Sequence, residues 1–254
     1  MAEDTTKKHL DLNLRTQVVT REGSGFWEQA TVPKRFPVDE TALLLCDVWD
    51  DHWCSGAARR VDAMVGRMNM VVASAREAGV QIIHAPSGTM QFYALTPQRR
   101  RIVDSPKVET PESLDLPIPP PVPIDDSDGG CDTGDEIQRQ AWTRQHAAIE
   151  IADEDVISDD GDEIYSFLRG SGIANLLVMG VHTNMCVLNR SFAIKQMTAW
   201  GIRCVLVRDL TDTMYNPEKA PYVSHDRGTE LVVEYIERHW CPSMLSQDLL
   251  EARG

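Results

Sequence analysis

The chain has 254 residues, of which 42% are hydrophobic and 25% charged, so it is long enough to bury a full core and has a globular composition. Its formal net charge of −14 argues against nucleic-acid binding, which needs clustered Lys and Arg, and against docking on an anionic membrane. No apolar run approaches the roughly 20 residues of a membrane span, and the polar N-terminal stretch lacks the apolar core of a signal peptide. We therefore expect a cytoplasmic protein.

The first part of the chain predicts an arm followed by a strand–helix–strand unit. Residues 1–38 are polar and are interpreted as an irregular N-terminal arm, ahead of a single domain over 39–254. The short apolar run Ala42–Leu45 is typical of a strand buried on both faces of a parallel sheet. Apolar residues at helical spacing predict a helix over 58–79, and residues 80–84 predict the second strand.

An irregular insertion then interrupts the pattern at about residues 104–141. This stretch is rich in Pro, Asp and Gly and predicts no regular core element. Such a long insertion is either a functional lid or a plain surface loop, and the residues leave both interpretations open.

The remaining elements alternate again between strands and helices. Strands are predicted at 147–151, 174–180 and 203–207, and helices at about 161–170, 184–200 and 228–238. This alternation favours an α/β fold with one doubly wound parallel sheet and no second domain.

Six cysteines are scattered over the chain, and none forms a CxxC pair, so a zinc ribbon and a thioredoxin motif are excluded. In a reducing cytosol the expected state of cysteines is the free thiol. They are Cys46, Cys54, Cys131, Cys186, Cys204 and Cys241.

Reactive side chains follow the ends of the predicted strands, where ligands of open parallel sheets bind. Asp47, His84 and Asp209 end three of the strands, Glu150 lies in a fourth, and Cys186 starts the helix after the strand NLLVMG. A cysteine in the first turn of a helix is favoured as a thiolate by the helix dipole, and a nearby carboxylate can take its proton. The pattern therefore indicates Cys186 as nucleophile and Asp47 as its acid–base partner.

Two segments resemble the isochorismatase-like, or nicotinamidase-related, cysteine hydrolase family. GVHTNMCV (Gly180–Val187) matches that family's cysteine signature, and DVWDDHWC (Asp47–Cys54) is similar to its opening Asp motif. The order of elements agrees from about residue 40 to residue 240.

The resemblance implies a six-stranded parallel sheet flanked by helices, usually in a homo-oligomer, and hydrolysis of a small C–N amide through a thioester. Cys186 would attack the carbonyl carbon, and Asp47 would relay the proton. A cis peptide would fall between Val181 and His182, and the backbone N–H groups of His182 and Cys186 would form the oxyanion hole.

The family's third catalytic residue, a lysine on the strand upstream of the cysteine strand, is missing. No lysine occurs between Lys107 and Lys195. By register Glu150 lies nearest to the lysine position, with His146 and Arg144 as neighbours. We hypothesise that Glu150 and Asp47 act as a coupled pair of carboxyl groups, one of which holds a proton near neutrality.

The substrate pocket is predicted to include His52, Trp53, His84 and Asn184. His52 and His84 with Asp51 would make only a minimal metal site, whereas catalytic zinc normally has three protein ligands, so we predict no metal and no cofactor.

The sequence thus predicts a hydrolase of a small-molecule amide or related C–N bond. Two alternatives remain because the lysine is missing. One is a hydrolase of a different bond, such as a vinyl ether or an ester, and the other is a non-catalytic relative that binds a small ligand.

Overall fold

One β-sheet with α-helices on both faces forms the structure, a computed structural model that describes residues 8–20, 25–138 and 140–251. The strands are β1 (His9–Val19), β2 (Trp27–Pro37), β3 (Thr41–Cys46), β4 (Gln81–Ala85), β5 (Val156–Ile157), β6 (Asn175–Val181), β7 (Arg203–Asp212) and β8 (Ser243–Met244). The helices are α1 (Ser55–Ala78), α2 (Met90–Tyr93), α3 (Pro97–Val103), α4 (Gly161–Gly170), α5 (Cys186–Asn189), α6 (Ile194–Ala199), α7 (His225–His239) and α8 (Gln247–Glu251).

The strand order is β2-β1-β8-β7-β6-β3-β4-β5. The six strands from β8 to β5 run parallel to one another, whereas β1 pairs antiparallel with both β2 and β8. The predicted α/β fold with a parallel sheet is confirmed, with eight strands instead of six. The chain winds outward from β3 to β5, returns, and winds outward again from β6 to β8, so the order reverses between β3 and β6.

The central strands separate two apolar cores. Every residue of β3 and of β6 is buried, as expected for strands covered by helices on both faces. Leu43 and Leu45 of β3 pack in the core with α1, while Leu44 and Cys46 pack in the core with α4 and α7. This alternation follows from the two-residue period of a strand.

The irregular N-terminal arm was a wrong interpretation in its described part. Strands β1 and β2 pair over eleven residues each and add a hairpin to the sheet. Leu10, Leu12 and Leu14 alternate with more exposed residues and are buried in the α1 core. This two-residue period is the strand signal in a segment that is otherwise polar.

Two elements around the insertion also differ from their predictions. Residues 147–151 form turns and loop, and the strand paired with β4 is β5 at Val156–Ile157. The helix predicted over 184–200 is divided into α5 and α6, because Arg190 adopts an extended conformation. The described residues of 104–141 contain no strand and no helix, as expected.

Strand β7 is longer than predicted and ends at Asp212, not Asp209. Asp209 lies within the strand, and its carboxylate accepts hydrogen bonds from the backbone and hydroxyl of Ser246.

The expectation of free thiols is wrong for one pair, because Cys54 and Cys131 form a disulfide with a Cα–Cα distance of 5.6 Å. Folding of the insertion onto the start of α1 brings these distant residues together. Among the described residues, no helix is long and apolar enough to cross a membrane.

Candidate active site

The candidate active site lies where the carboxyl ends of β3 and β6 meet, at the reversal of strand order. Cys46 at the end of β3 pairs with Gly180 of β6. Gly180 has φ of 121°, and a Cβ at this position would overlap the carbonyl oxygen of Cys46. Glycine therefore lets the two strands leave the sheet side by side, with Asp47 next to the loop that leads to Cys186.

Asp47 is fully buried at the end of β3, with 0% exposure. Its φ of 51° is in the left-handed region, a conformation that costs on the order of 1–3 kcal/mol and is held by the surrounding structure. Its Oδ1 accepts a hydrogen bond from the backbone N–H of Ser87 at 2.7 Å, and its Oδ2 accepts one from Nε of Arg190 at 3.0 Å. Burial raises the pKa of Asp47, while Arg190, Cys186 and Ser87 act to lower it.

Cys186 begins α5, directly after the loop that follows β6. The charge of Asp47 and the backbone of His182 both act on the pKa of its thiol. Burial, together with the charge of Asp47, raises the pKa of Cys186 to about 12, against the opposing effect of Arg190. The short α5 does not produce the low pKa that the helix dipole alone would favour, so the thiol of Cys186 is protonated at physiological pH.

The backbone between β6 and α5 has the conformation that the resemblance implied. The peptide bond between Val181 and His182 is cis, as predicted. The carbonyl of His182 accepts hydrogen bonds from the N–H groups of Met185 and Val187. These bonds close the turn, which holds the His182 amide against the thiol of Cys186.

Arg190 supplies the positive charge of the site. Its N–H is bonded to the carbonyl of Cys186 at 3.0 Å, one helical turn earlier, and its side chain is 39% exposed. Sequence reasoning missed it because only lysines and the residues upstream of Cys186 were considered. The sequence signal for Arg190 was its position four residues after Cys186, because residues i and i+4 lie on the same face of a helix.

The prediction that Glu150 takes the place of the family lysine was wrong. Glu150 lies in an exposed loop rather than in a strand, and its backbone N–H is bonded to Asn69 of α1. The two neighbouring candidates are also occupied elsewhere, since His146 bonds Asp62 and Arg144 lies over the Phe92 ring. The coupled carboxyl pair of Glu150 and Asp47 is therefore not formed.

A cavity of about 80 Å³ adjoins Asp47. The predicted pocket residue His52 lines it together with His182, and their ring centroids are 4.9 Å apart. Burial lowers the pKa of His52 to about 4 and that of His182 to about 3, so both rings are neutral at physiological pH. The Nε2 atom of His182 is buried and has no partner among the described residues.

Aromatic rings cover one side of this cavity. Trp49 stacks on Trp142 with ring centroids 3.9 Å apart, and the indole N–H groups of both donate to the carbonyl of Ser87. Trp53, a predicted pocket residue, lies beside His52 and packs against the Cys54–Cys131 disulfide. The stacked indoles also hold the loop that presents the Ser87 N–H to Asp47.

His84, another predicted pocket residue, is part of the core. It is fully buried, its Nε2 is bonded to Asp155 at 2.9 Å, and its Nδ1 is bonded to the amide of Gln145. With both ring nitrogens occupied, His84 does not join His52 and Asp51 in a metal site.

Asn184 fastens the insertion to the catalytic loop. Its amide N–H donates to Asp126 of the insertion and to the carbonyl of Met214, and its Oδ1 accepts from the Met214 N–H. Its polar atoms are thus bound by the protein, which indicates that Asn184 orders the loop before Cys186.

One group of side chains in the described part of the chain has the spacing of metal ligands, namely Cys54, Cys131 and Asp135. The two sulfurs share the disulfide. The Asp135 carboxylate accepts hydrogen bonds from Ser55 and Thr133, so the group is already satisfied without a metal.

Comparison with solved structures finds known proteins that share this fold. Structural similarity extends to a cysteine hydrolase from Pseudomonas syringae pv. phaseolicola, with a TM-score of 0.54, 15% identity, and coverage of 85% of this chain and 93% of that one. An isochorismatase from Pseudomonas putida gives a TM-score of 0.51, 14% identity, and coverage of 83% and 90%. These identities show a shared fold. A search of curated proteins found no match.

A family model for the isochorismatase domain matches residues 41–223, well over half of the chain. The matched region runs from β3 through the Cys186 turn to the loop before α7. The chain therefore belongs to the isochorismatase-domain family.

Proposed function

We propose that this protein is a cysteine hydrolase that cleaves a small amide or related C–N bond through a thioester on Cys186. Family membership supports a hydrolase function. The observation that carries the finer proposal is that the Cys186 thiol interacts with the buried carboxylate of Asp47, whose Oδ2 accepts a hydrogen bond from Arg190.

In the first half-reaction Asp47 takes the proton of the Cys186 thiol as the sulfur attacks the substrate carbonyl carbon. The tetrahedral oxyanion forms beside the backbone N–H groups of His182 and Cys186. Fixed donors of this kind are each worth about 3–4 kcal/mol of transition-state stabilisation. The C–N bond then breaks, Asp47 gives its proton to the leaving nitrogen, and the acyl group remains on sulfur.

In the second half-reaction Asp47 takes a proton from water, and the hydroxide attacks the thioester carbon. The C–S bond breaks, and the sulfur recovers the proton from Asp47. The protonated resting thiol suits this sequence, because the base is already in contact with the proton it must remove.

The cavity beside Asp47 supports a small substrate. Its volume of about 80 Å³ is lined by Asp47, His52 and His182 but not by Cys186, so it offers room for a short substituent of the substrate next to the group that Cys186 would attack. The neutral imidazoles of His52 and His182 offer this group hydrogen bonds without a charge.

The test is a panel of small amides with ammonia release as the readout, comparing the wild type with Cys186→Ala. We expect Cys186→Ala to remain folded and to lose all detectable turnover. The matched control is Cys204→Ala, which removes a buried free thiol outside the site. Full activity in Cys186→Ala would refute the cysteine mechanism.

The same panel separates the alternatives. Esters and vinyl ethers that are turned over while amides are not would assign a different bond. If nothing is turned over, the non-catalytic alternative is favoured.

A further inference from the structure

Arg190 is the charged group that contacts the buried carboxylate of Asp47, and it lies on the helical turn that carries the nucleophile. We propose that Arg190 is the positioning cation of this site, keeping Asp47 ionised so that Asp47 can take the proton of Cys186. The proposal rests on the proposed cysteine-hydrolase function and gives the role of the missing lysine to a residue that follows the nucleophile in the chain.

The buried carboxylate of Asp47 needs a compensating charge. Its side chain is fully buried, and a buried carboxylate without a partner takes up a proton instead of remaining charged. A protonated Asp47 is no base for a thiol. Within the described ranges, Arg190 is the residue that forms an ion pair with Asp47, at 3.0 Å.

No other positively charged side chain in the described part of the chain fills this role. The strand upstream of the cysteine strand ends at Ile157, and the next residue, Ser158, bonds Glu163. Lys195 bonds Asn189 and lies over the Trp240 ring. The positive charge at Asp47 therefore comes from the helix of the nucleophile.

Arg190 lies four positions after Cys186, and its backbone N–H donates to the carbonyl of Cys186 at 3.0 Å, so both side chains start from the same short stretch of backbone next to Asp47. The guanidinium keeps its charge at every pH at which a protein is folded. Arg190 therefore acts by charge and position and exchanges no proton.

Several titratable groups surround the pair. Cys46 from β3 and Cys186 from α5 interact with Asp47. The cavity beside Asp47 is also lined by His52, His146 and His182 and by the carboxylates of Asp50, Asp51 and Asp62. Because these groups are unchanged between wild type and Arg190→Gln, a difference in Cys186 reactivity at the same pH reports on Arg190.

The experiment measures the rate of Cys186 alkylation by iodoacetamide between pH 6 and pH 10, using mass spectrometry to identify the modified residue. We expect Arg190→Gln to react at least tenfold more slowly than wild type at each pH, which corresponds to one pKa unit. Arg190→Lys should stay within threefold of wild type at pH 7, because it keeps the charge. The matched control Arg35→Gln, which loses an exposed arginine, should react as wild type does.

The alkylation rates can contradict either the role of Arg190 or the proposed function. Equal rates in wild type and Arg190→Gln would overturn the proposal, as would equal losses in the Lys and Gln variants, since a structural role does not depend on charge. A wild-type Cys186 that reacts no faster than the other free thiols would instead refute the proposed function.

A second measurement covers the case in which Arg190→Gln fails to fold. The double variant Asp47→Asn/Arg190→Gln removes both charges together. If Arg190 acts through Asp47, the double variant should have the kcat of Asp47→Asn alone, because coupled residues are not additive. A further drop of tenfold or more in the double variant would contradict the proposal.

Discussion

Asp47 combines three features that are separately uncommon: full burial, a left-handed backbone conformation and a guanidinium on one carboxylate oxygen. Together they aim the carboxylate at the thiol of Cys186 and leave it little freedom to turn. The Ser87 N–H holds the other oxygen. Such a fixed carboxylate is suited to move one proton back and forth.

At this scale we predict that Asp47→Asn lowers turnover by at least about a hundredfold, the usual effect of losing a positioned acid–base group. The measurement is kcat on an amide that the wild type hydrolyses. Asp209→Asn serves as control, because that carboxylate bonds Ser246 outside the site. A rate near that of the wild type in Asp47→Asn would show that another group moves the proton.

The pH dependence of the wild type gives a second prediction at the residue scale. Burial raises the pKa of Asp47, and the base must be ionised to act. The value of kcat/KM should therefore fall as pH decreases through a pKa above the ordinary value of about 3.9. A rate that stays flat down to pH 4 would contradict this assignment.

At the scale of elements, the insertion stands out because it is irregular yet firmly attached. Asp126 bonds Asn184 before the nucleophile, Asp128 bonds Asn216, and Cys131 is linked to Cys54 at the start of α1. The insertion thus holds the catalytic loop from outside the sheet.

The disulfide should contribute to stability by this attachment. Its loss typically costs about 2–4 kcal/mol, which in a chain of this size corresponds to a decrease of about 5–15 °C in Tm. We expect Cys54→Ser/Cys131→Ser to unfold earlier by this amount in calorimetry. Dithiothreitol should lower the Tm of the wild type similarly and leave the double variant unchanged. Six titratable thiols in the denatured, unreduced wild type would show that the disulfide is absent.

At the scale of the whole molecule, one buried charge network joins the sheet, two helices and the insertion. Asp212 at the end of β7 bonds Arg60 of α1 and His225 of α7, and Arg60 also bonds Asp132 of the insertion. His225 donates from its other ring nitrogen to the carbonyl of Tyr215. Because both ring nitrogens face acceptors, the geometry favours the protonated imidazole.

This network gives folding stability a definite pH dependence. Burial acts to lower the pKa of His225, but its hydrogen bond and ion pair with Asp212 outweigh burial and raise it. A raised folded-state pKa means that the stabilisation is present below the unfolded value of about 6.5 and is lost as pH rises through the folded value.

We therefore expect His225→Gln to destabilise the protein more at pH 6 than at pH 9, measured by urea unfolding. His239→Gln is the control, because that ring contacts Trp27 and Tyr235 rather than a carboxylate. An equal loss of stability at both pH values would show that His225 is neutral in the folded protein.

A homo-oligomer and a cytoplasmic location stay predictions for this chain.

The sequence by itself determined the features that depend on local pattern. Continuous apolar runs predicted β3 and β6, and the two motifs predicted the position of Asp47 at the end of β3 and the cis peptide after Val181. These features follow from burial on both faces of a parallel sheet and from residues adjacent in the chain.

Only the tertiary structure decided which distant side chains meet. Arg190 and not Glu150 reaches Asp47, because Arg190 directly follows α5 while residues 147–151 form turns and an exposed loop. Cys54 meets Cys131 across 77 residues for a similar reason. Side-chain charge and residue spacing do not encode these contacts, since they depend on the paths of irregular segments whose backbone conformation is set by packing against the folded sheet.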